Sequence, residues 1–291
     1  MRQGSTPLHR SAHKKTIENA AGFLKAQRNA DAGWAYLPGS VSASEPTCYA
    51  ALALHGGEHR DDAELQTLGW IARHAENESS EPLWTKSLSL LTLSGLSARP
   101  EIRTRLRQFL LSVGGKPLPS AKDLNGELRG WSWIEGTFSW VEPTSYALLA
   151  LKKAGDRTHP RIQEAERLLL DRVCADGGWN YGNRKVRDIA LTSMAPTTAL
   201  AAMALQGAGD SGPAVQGALE LLDREVVRRP SSLSLALTIL CFDVYRRPHE
   251  HLTDLLIARQ EPDGSWRGQS HLTSLSVLAL RTQEQFNVFA I

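Results

Sequence analysis

EPTCYAALAL, Glu45 to Leu54, and EPTSYALLAL, Glu142 to Leu151, are nearly the same string, 97 positions apart in the chain. Related strings follow as APTTALAAMAL from Ala195 and HLTSLSVLAL from His271, the last without proline. Weaker copies, EPLWTKSLSLLTL from Glu81 and SSLSLALTILCF from Ser231, fill the gaps and bring the number to six. Each reads as a helix of small, apolar residues on nearly every face, which suits a helix packed on all sides. Recurrence at this scale is the mark of a repeat architecture.

Between these strings lie segments with charged and apolar faces at helical spacing, near residues 12–27, 61–75, 99–112, 160–173, 213–227 and 249–260. Gly, Pro and Asp punctuate the joints, as in HGGEHRDD, KKAGDRTHP and QGAGDSGP. The pattern predicts twelve helices in outer–inner order. A lone helical pair cannot bury its apolar face, so six pairs must stack, and neither end carries a polar capping repeat. The expectation is an all-α, closed (α/α)6 toroid of six helical hairpins, one domain over 12–291 after a flexible tail at 1–11.

Composition narrows the function classes. Thirty-three basic residues face 31 acidic ones, and 42% of the 291 residues are hydrophobic, an ordinary globular balance with no footprint for nucleic acid. Cys48, Cys174 and Cys241 are too scattered for a disulfide framework. No apolar run reaches the roughly 20 residues that span a bilayer. A cytoplasmic protein is expected. No DDxxD, GxSxG, phosphate loop or CGEQ string occurs, and the reading calls for no cofactor and no metal.

Three outer-to-inner loops are long: 28–44, 113–141 and 174–194. Ordered loops of that length usually carry function. Each holds a related motif, GWAY at Gly33, GWSW at Gly130 and GWNY at Gly178, and in two of them the first tryptophan precedes the glutamate by eleven residues (Trp34 to Glu45, Trp131 to Glu142). The last repeat reads Gln260-Glu-Pro-Asp-Gly264-Ser-Trp266. With these features the chain resembles the prenyltransferase and squalene oxidase repeat superfamily, whose QW motif is Q-x3-G-x-W, over about residues 12–285. Repeat scaffolds use such tryptophans as staples between helices, which is one reading of Trp34, Trp131, Trp179 and Trp266.

The resemblance implies a chemistry. Class II terpene cyclases of this superfamily protonate an isoprenoid with the middle aspartate of DxDD, just before a threonine that opens an inner helix. Threonine matching puts Glu45 and Glu142 at that aspartate, with Ala43 and Trp140 at the first acid and Pro46 and Pro143 at the third. A carboxyl kept neutral in an apolar pocket would serve. A plain helix start, with the acid against the positive helix terminus, is the other reading. Trp34, Tyr49, Trp131, Trp133, Trp140, Tyr146, Trp179, Tyr181 and His271 are the candidates for an aromatic, isoprenoid-binding cleft.

Protein prenyltransferases, in the same superfamily, imply a different site with zinc and a partner subunit; Glu45, Cys48 and His271 would meet when the ring closes. Arg187 and Asp188 would bind a diphosphate or pair on the surface. A carbohydrate-active toroid would use paired carboxylates, and Glu45 and Glu142 are candidates for such a pair, but two intervening ring positions are expected to hold them too far apart. The leading expectation is a terpene cyclase-like enzyme acting through Glu142, then Glu45, on a hydrophobic isoprenoid. A non-catalytic toroid binding a lipid or protein partner is the alternative, and an apolar rim would allow peripheral membrane contact.

Overall fold

The computed structural model describes residues 7–57, 59–77, 82–118 and 123–291, with residues 7–11 known by their backbone alone. The expected tail at 1–11 lies in part outside the described residues, and a helix runs from Pro7. Six inner helices are present: α2 (Ser44–Leu54), α4 (Leu83–Gly95), α6 (Val141–Lys153), α8 (Ala195–Ala204), α10 (Ser232–Val244) and α12 (Ser270–Arg281). Each packs on the next, and α12 packs on α2, so the ring closes. The outer ring is α1 (Pro7–Ala26), α3 (Asp62–Glu76), α5 (Pro100–Ser112), α7 (Pro160–Asp171), α9 (Gly212–Arg228) and α11 (Glu250–Ile257). The described residues form the expected (α/α)6 toroid.

Four tryptophans join the two rings by one repeated device. The indole N–H of Trp34 donates to Leu24 O (2.7 Å), that of Trp131 to Leu110 O (3.0 Å), that of Trp179 to Leu169 O (2.7 Å) and that of Trp266 to Leu256 O (2.9 Å). Each satisfies a carbonyl near the end of the preceding outer helix. The backbone N–H of the same tryptophans donates to Thr47, Thr144, Thr198 and Thr273 Oγ1, all in the first turns of inner helices. This explains the threonine shared by the four strong strings. It also explains the glycine before Trp131, because a Cβ on Gly130 would overlap Thr144 Oγ1.

Gln260 ties the last repeat to the first, donating through Nε2 to Thr16 O (2.8 Å) and Gly264 O (3.0 Å). Gly264 has φ +87°, and a Cβ there would run into the Asn19 carbonyl. Gly264→Ala therefore combines backbone strain with overpacking and should cost about 2–4 kcal/mol, read as a fall in the urea midpoint at unchanged slope.

The two ends of the toroid differ. Residues 286–291 cross the end where the inner helices finish: Gln206 Nε2 donates to Phe289 O (2.7 Å), Lys153 Nζ to Ala290 O (2.6 Å) and Asn287 Nδ2 to Leu240 O (3.0 Å). Val288 and Phe289 are buried there. The opposite end, where the inner helices begin, carries the three long loops.

Candidate functional site

Glu45 and Glu142 occupy equivalent places, in the first turns of α2 and α6. Neither helix has a side-chain cap, and neither glutamate bonds a free backbone N–H of its helix. One turn further on, on the same faces, stand Tyr49 and Tyr146. Their hydroxyls meet at 2.8 Å across the lumen, and both rings are buried. The expectation that two intervening ring positions hold the glutamates too far apart is thereby corrected: α4 alone lies between α2 and α6, and the charge of Glu45 is felt at Glu142. Long phenols bridge the ring, and the carboxyls one turn before them are coupled through the charge of Glu45.

Burial, with the charge of Glu45 second, pushes the Glu142 carboxyl up from 4.5 to about 7. A helix N-terminus pulls the other way, but at about 0.3–1 kcal/mol it amounts to less than one pKa unit, so burial wins. Burial also raises the Glu45 carboxyl, opposed by a 2.6 Å hydrogen bond that Tyr36 Oη donates to Glu45 Oε2. The Tyr36 ring meets His271 edge-on at 5.2 Å. Burial lowers the imidazole pKa of His271, and its Nδ1 is enclosed without a hydrogen-bond partner among the described residues. Trp84, on α4, completes the wall, with ring centroids 5.7 Å from Trp133 and 5.9 Å from Tyr146.

Three of the expected cleft aromatics serve the scaffold instead. Trp34, Trp131 and Trp179 are the buried staples described above and present no face to the lumen mouth. In two of the loops it is the second aromatic of each GW motif that stands at the cleft, Tyr36 and Trp133. Tyr181 is exposed, and its carbonyl accepts from Val141 N (3.0 Å) at the start of α6. Trp140 packs on Phe138 (5.1 Å) and lines a separate recess with Lys116, Arg172 and Asn183, to which neither glutamate contributes. Tyr36 and Trp84 were not anticipated. The motif position of Tyr36, parallel to Trp133, was its signal.

Among the described residues Glu45, Cys48 and His271 do not gather into a metal-binding cluster. Cys48 Sγ lies 3.8 Å from Ser89 Oγ on α4, and no cluster of three His, Cys, Asp or Glu among the described residues could hold an ion. Arg187 and Asp188 are exposed and make the two-residue turn between short strands β1 (Lys185–Val186) and β2 (Ile189–Ala190). Around the mouth the long loops expose Leu37, Val41, Ile134, Phe138, Ile189 and Met194. No described helix is long and apolar enough to cross a membrane.

These features have relatives of known structure. The type II terpene cyclase MstE from Scytonema aligns over 94% of this chain and 98% of its own, at 14% identity and TM-score 0.65. The chain has the fold of that cyclase. MstE has also been seen with geranylgeranyl dihydroxybenzoate as substrate. The GH76A α-1,6-mannanase of Salegentibacter sp. HEL1_6 shares the toroid equally, at 11% identity and TM-score 0.67 over 94% of this chain and 99% of its own. In sequence, a drimenyl diphosphate synthase of Streptomyces showdoensis is 28% identical over 178 residues, or 57% of this chain. The chain matches 32% of that curated relative's length. No family model matches the chain.

Proposed function

We propose that this protein is a terpene cyclase-like enzyme that starts isoprenoid cyclisation or isomerisation by protonating a carbon–carbon double bond with Glu142. The observation that carries this reading is a carboxyl held near neutrality's edge, with a pKa of about 7, at an aromatic-walled cleft shared with a second carboxyl. In the step itself the alkene π pair forms a C–H bond to the Glu142 proton and the O–H bond breaks. Glu142 is left as carboxylate and the substrate as a tertiary carbocation. Further double bonds attack that cation to close rings, and loss of a proton to water ends the sequence without a change of mass. Trp84, Trp133 and Tyr146 would supply π faces to the cation. The pKa matters because an ordinary glutamate would already be ionised at pH 7.

The fold leaves the choice between isoprenoid and sugar open, because cyclase and mannanase share it, but the sequence similarity to a drimenyl diphosphate synthase supports an isoprenoid. So do the apolar loops at the mouth, a surface that would also let the protein meet a lipid layer. The paired carboxyls alone would fit a glycosidase. Against that, the hydroxyls of Tyr36, Tyr49 and Tyr146 already bond Glu45 or each other.

The test is incubation of the purified protein with farnesyl and geranylgeranyl diphosphate, longer polyprenyl diphosphates, squalene and geranylgeranyl dihydroxybenzoate, with an α-1,6-mannan as comparison. A product of unchanged mass and altered retention is expected from at least one isoprenoid, with a rate that falls about tenfold per pH unit above pH 7. Hydrolysis of the mannan, or tight retention of an isoprenoid without conversion, would overturn the reading in favour of a glycosidase or a binding toroid respectively.

A further inference from the structure

We infer that Tyr36 decides which of the two cleft carboxyls keeps the proton: its hydroxyl donates to Glu45 Oε2 at 2.6 Å, favouring the Glu45 carboxylate, while Glu142 receives no such bond from any described residue. The inference deepens the reading of Glu142 as the acid and rests on it. Two carboxyls facing one cleft disfavour double ionisation, so a bond that selects the anion at one place leaves the proton at the other. Tyr36 is a positioning residue in this scheme. It reaches Glu142 only through the charge of Glu45.

The groups around Glu45 leave few rivals for this role. On its own helix Tyr49 faces it, and from α6 Tyr146 and Glu142 do; the two inner tyrosines are held well above the ordinary phenol range by burial and stay neutral. From α12 comes His271, whose imidazole burial favours as the neutral form and which touches Tyr36 rather than either carboxyl. The lysine of α4, Lys86, donates to Ala75 O (2.7 Å) and Asn77 O (3.1 Å), and His55 at the far end of α2 pairs with Glu64 (2.9 Å). No cation therefore neutralises Glu45 from these elements, and the phenol hydrogen bond is the local bias. His271 has a part too. Its ring supports the edge of Tyr36 at 5.2 Å and so holds the hydroxyl over Oε2.

Tyr36→Phe keeps the ring against His271 and removes only the hydroxyl. The experiment follows carboxyl titrations by NMR in protein labelled with carbon-13 at the glutamate carboxyls, with Glu45→Gln and Glu142→Gln for assignment. In Tyr36→Phe the Glu45 midpoint should rise by about one pH unit, the scale of a lost hydrogen bond to a charged group, and the Glu142 midpoint should fall. In Glu45→Gln the Glu142 midpoint should also fall, and adding Tyr36→Phe should move it no further. That non-additivity is what a residue acting through Glu45 requires. Midpoints of both carboxyls within about 0.2 units of the parent in Tyr36→Phe would overturn the inference, as would a further shift of Glu142 in the double variant. If Tyr36→Phe does not fold, the Glu45→Gln comparison with Tyr36→Trp serves in its place, expected to leave Glu142 where Glu45→Gln alone puts it. No substrate enters the measurement, so a failed cyclisation assay leaves it intact. Conversely, cyclisation with unmoved midpoints would sink the role of Tyr36 alone.

Discussion

Glu142→Gln is expected to lower turnover by about three to four orders of magnitude and, at the same time, to make the fold more stable above neutral pH. The first effect follows from removing the proton that Glu142 holds ready, at the upper end of what a positioned general acid contributes. The second comes from the sign of the pKa shift. Glu142 titrates at about 7 in the folded protein against 4.5 for an ordinary glutamate. The folded state holds that proton more tightly, so its contribution to stability is complete below pH 4.5 and is lost as the pH rises through 7. Above pH 7 the folded protein carries a partly buried anion beside Glu45. The full shift would convert to roughly 3 kcal/mol, and partial solvent access reduces it to about 1–2 kcal/mol. Glutamine, neutral at every pH, avoids that cost. Urea denaturation should find the variant and parent alike at about pH 4, below the unfolded value, and the variant more stable by about 1–2 kcal/mol at about pH 8. A loss of about 0.5–2 kcal/mol at both values would instead identify Glu142 as an ordinary helix start.

The ring was legible because its causes are periodic. Small apolar strings such as EPTSYALLAL recur, and the threonine in the four strong ones has a fixed task, accepting the backbone N–H of a loop tryptophan. Both glutamates were legible for the same reason, through their place before that threonine. Which aromatic of a motif goes to the scaffold was not. Trp131 and Trp133 are the same residue type two positions apart, yet one is enclosed with its N–H on Leu110 O and the other meets Trp84 at the cleft. Hydrophobicity assigns both to an interior and cannot say which interior. The meeting of Tyr49 with Tyr146 was likewise hidden, because a linear repeat shows neighbours along the ring and not partners across it. Residues 286–291 have no period at all. Their role at the closed end comes from hydrogen bonds to Lys153 and Gln206 that no pattern announces.

Trp131→Ala should test whether the scaffold tunes the acid. The side chain is fully buried, it donates to Leu110 O at 3.0 Å, and the guanidinium of Arg161 lies 4.7 Å from its ring. Truncation leaves a large cavity and an unpaired carbonyl, for an expected loss of about 3–5 kcal/mol. Trp131→Phe, which keeps most of the volume and drops the N–H, should lose less. The backbone of Trp131 is also bound twice to Thr144, by N–H to Oγ1 (2.9 Å) and by Oγ1–H to the carbonyl (3.2 Å). Thr144 is two residues past Glu142. Loosening this loop should therefore admit water to Glu142 and bring its pKa down from about 7 toward the ordinary value, because burial is the larger cause of the shift. Trp266→Ala offers the comparison: it removes the equivalent staple, Trp266 Nε1 to Leu256 O at 2.9 Å, between the outer and inner helices of repeat six. Its stability loss should be similar, with the Glu142 titration unmoved. Equal displacement of Glu142 in both variants would mean that the pKa depends on the ring as a whole and not on the loop that frames it.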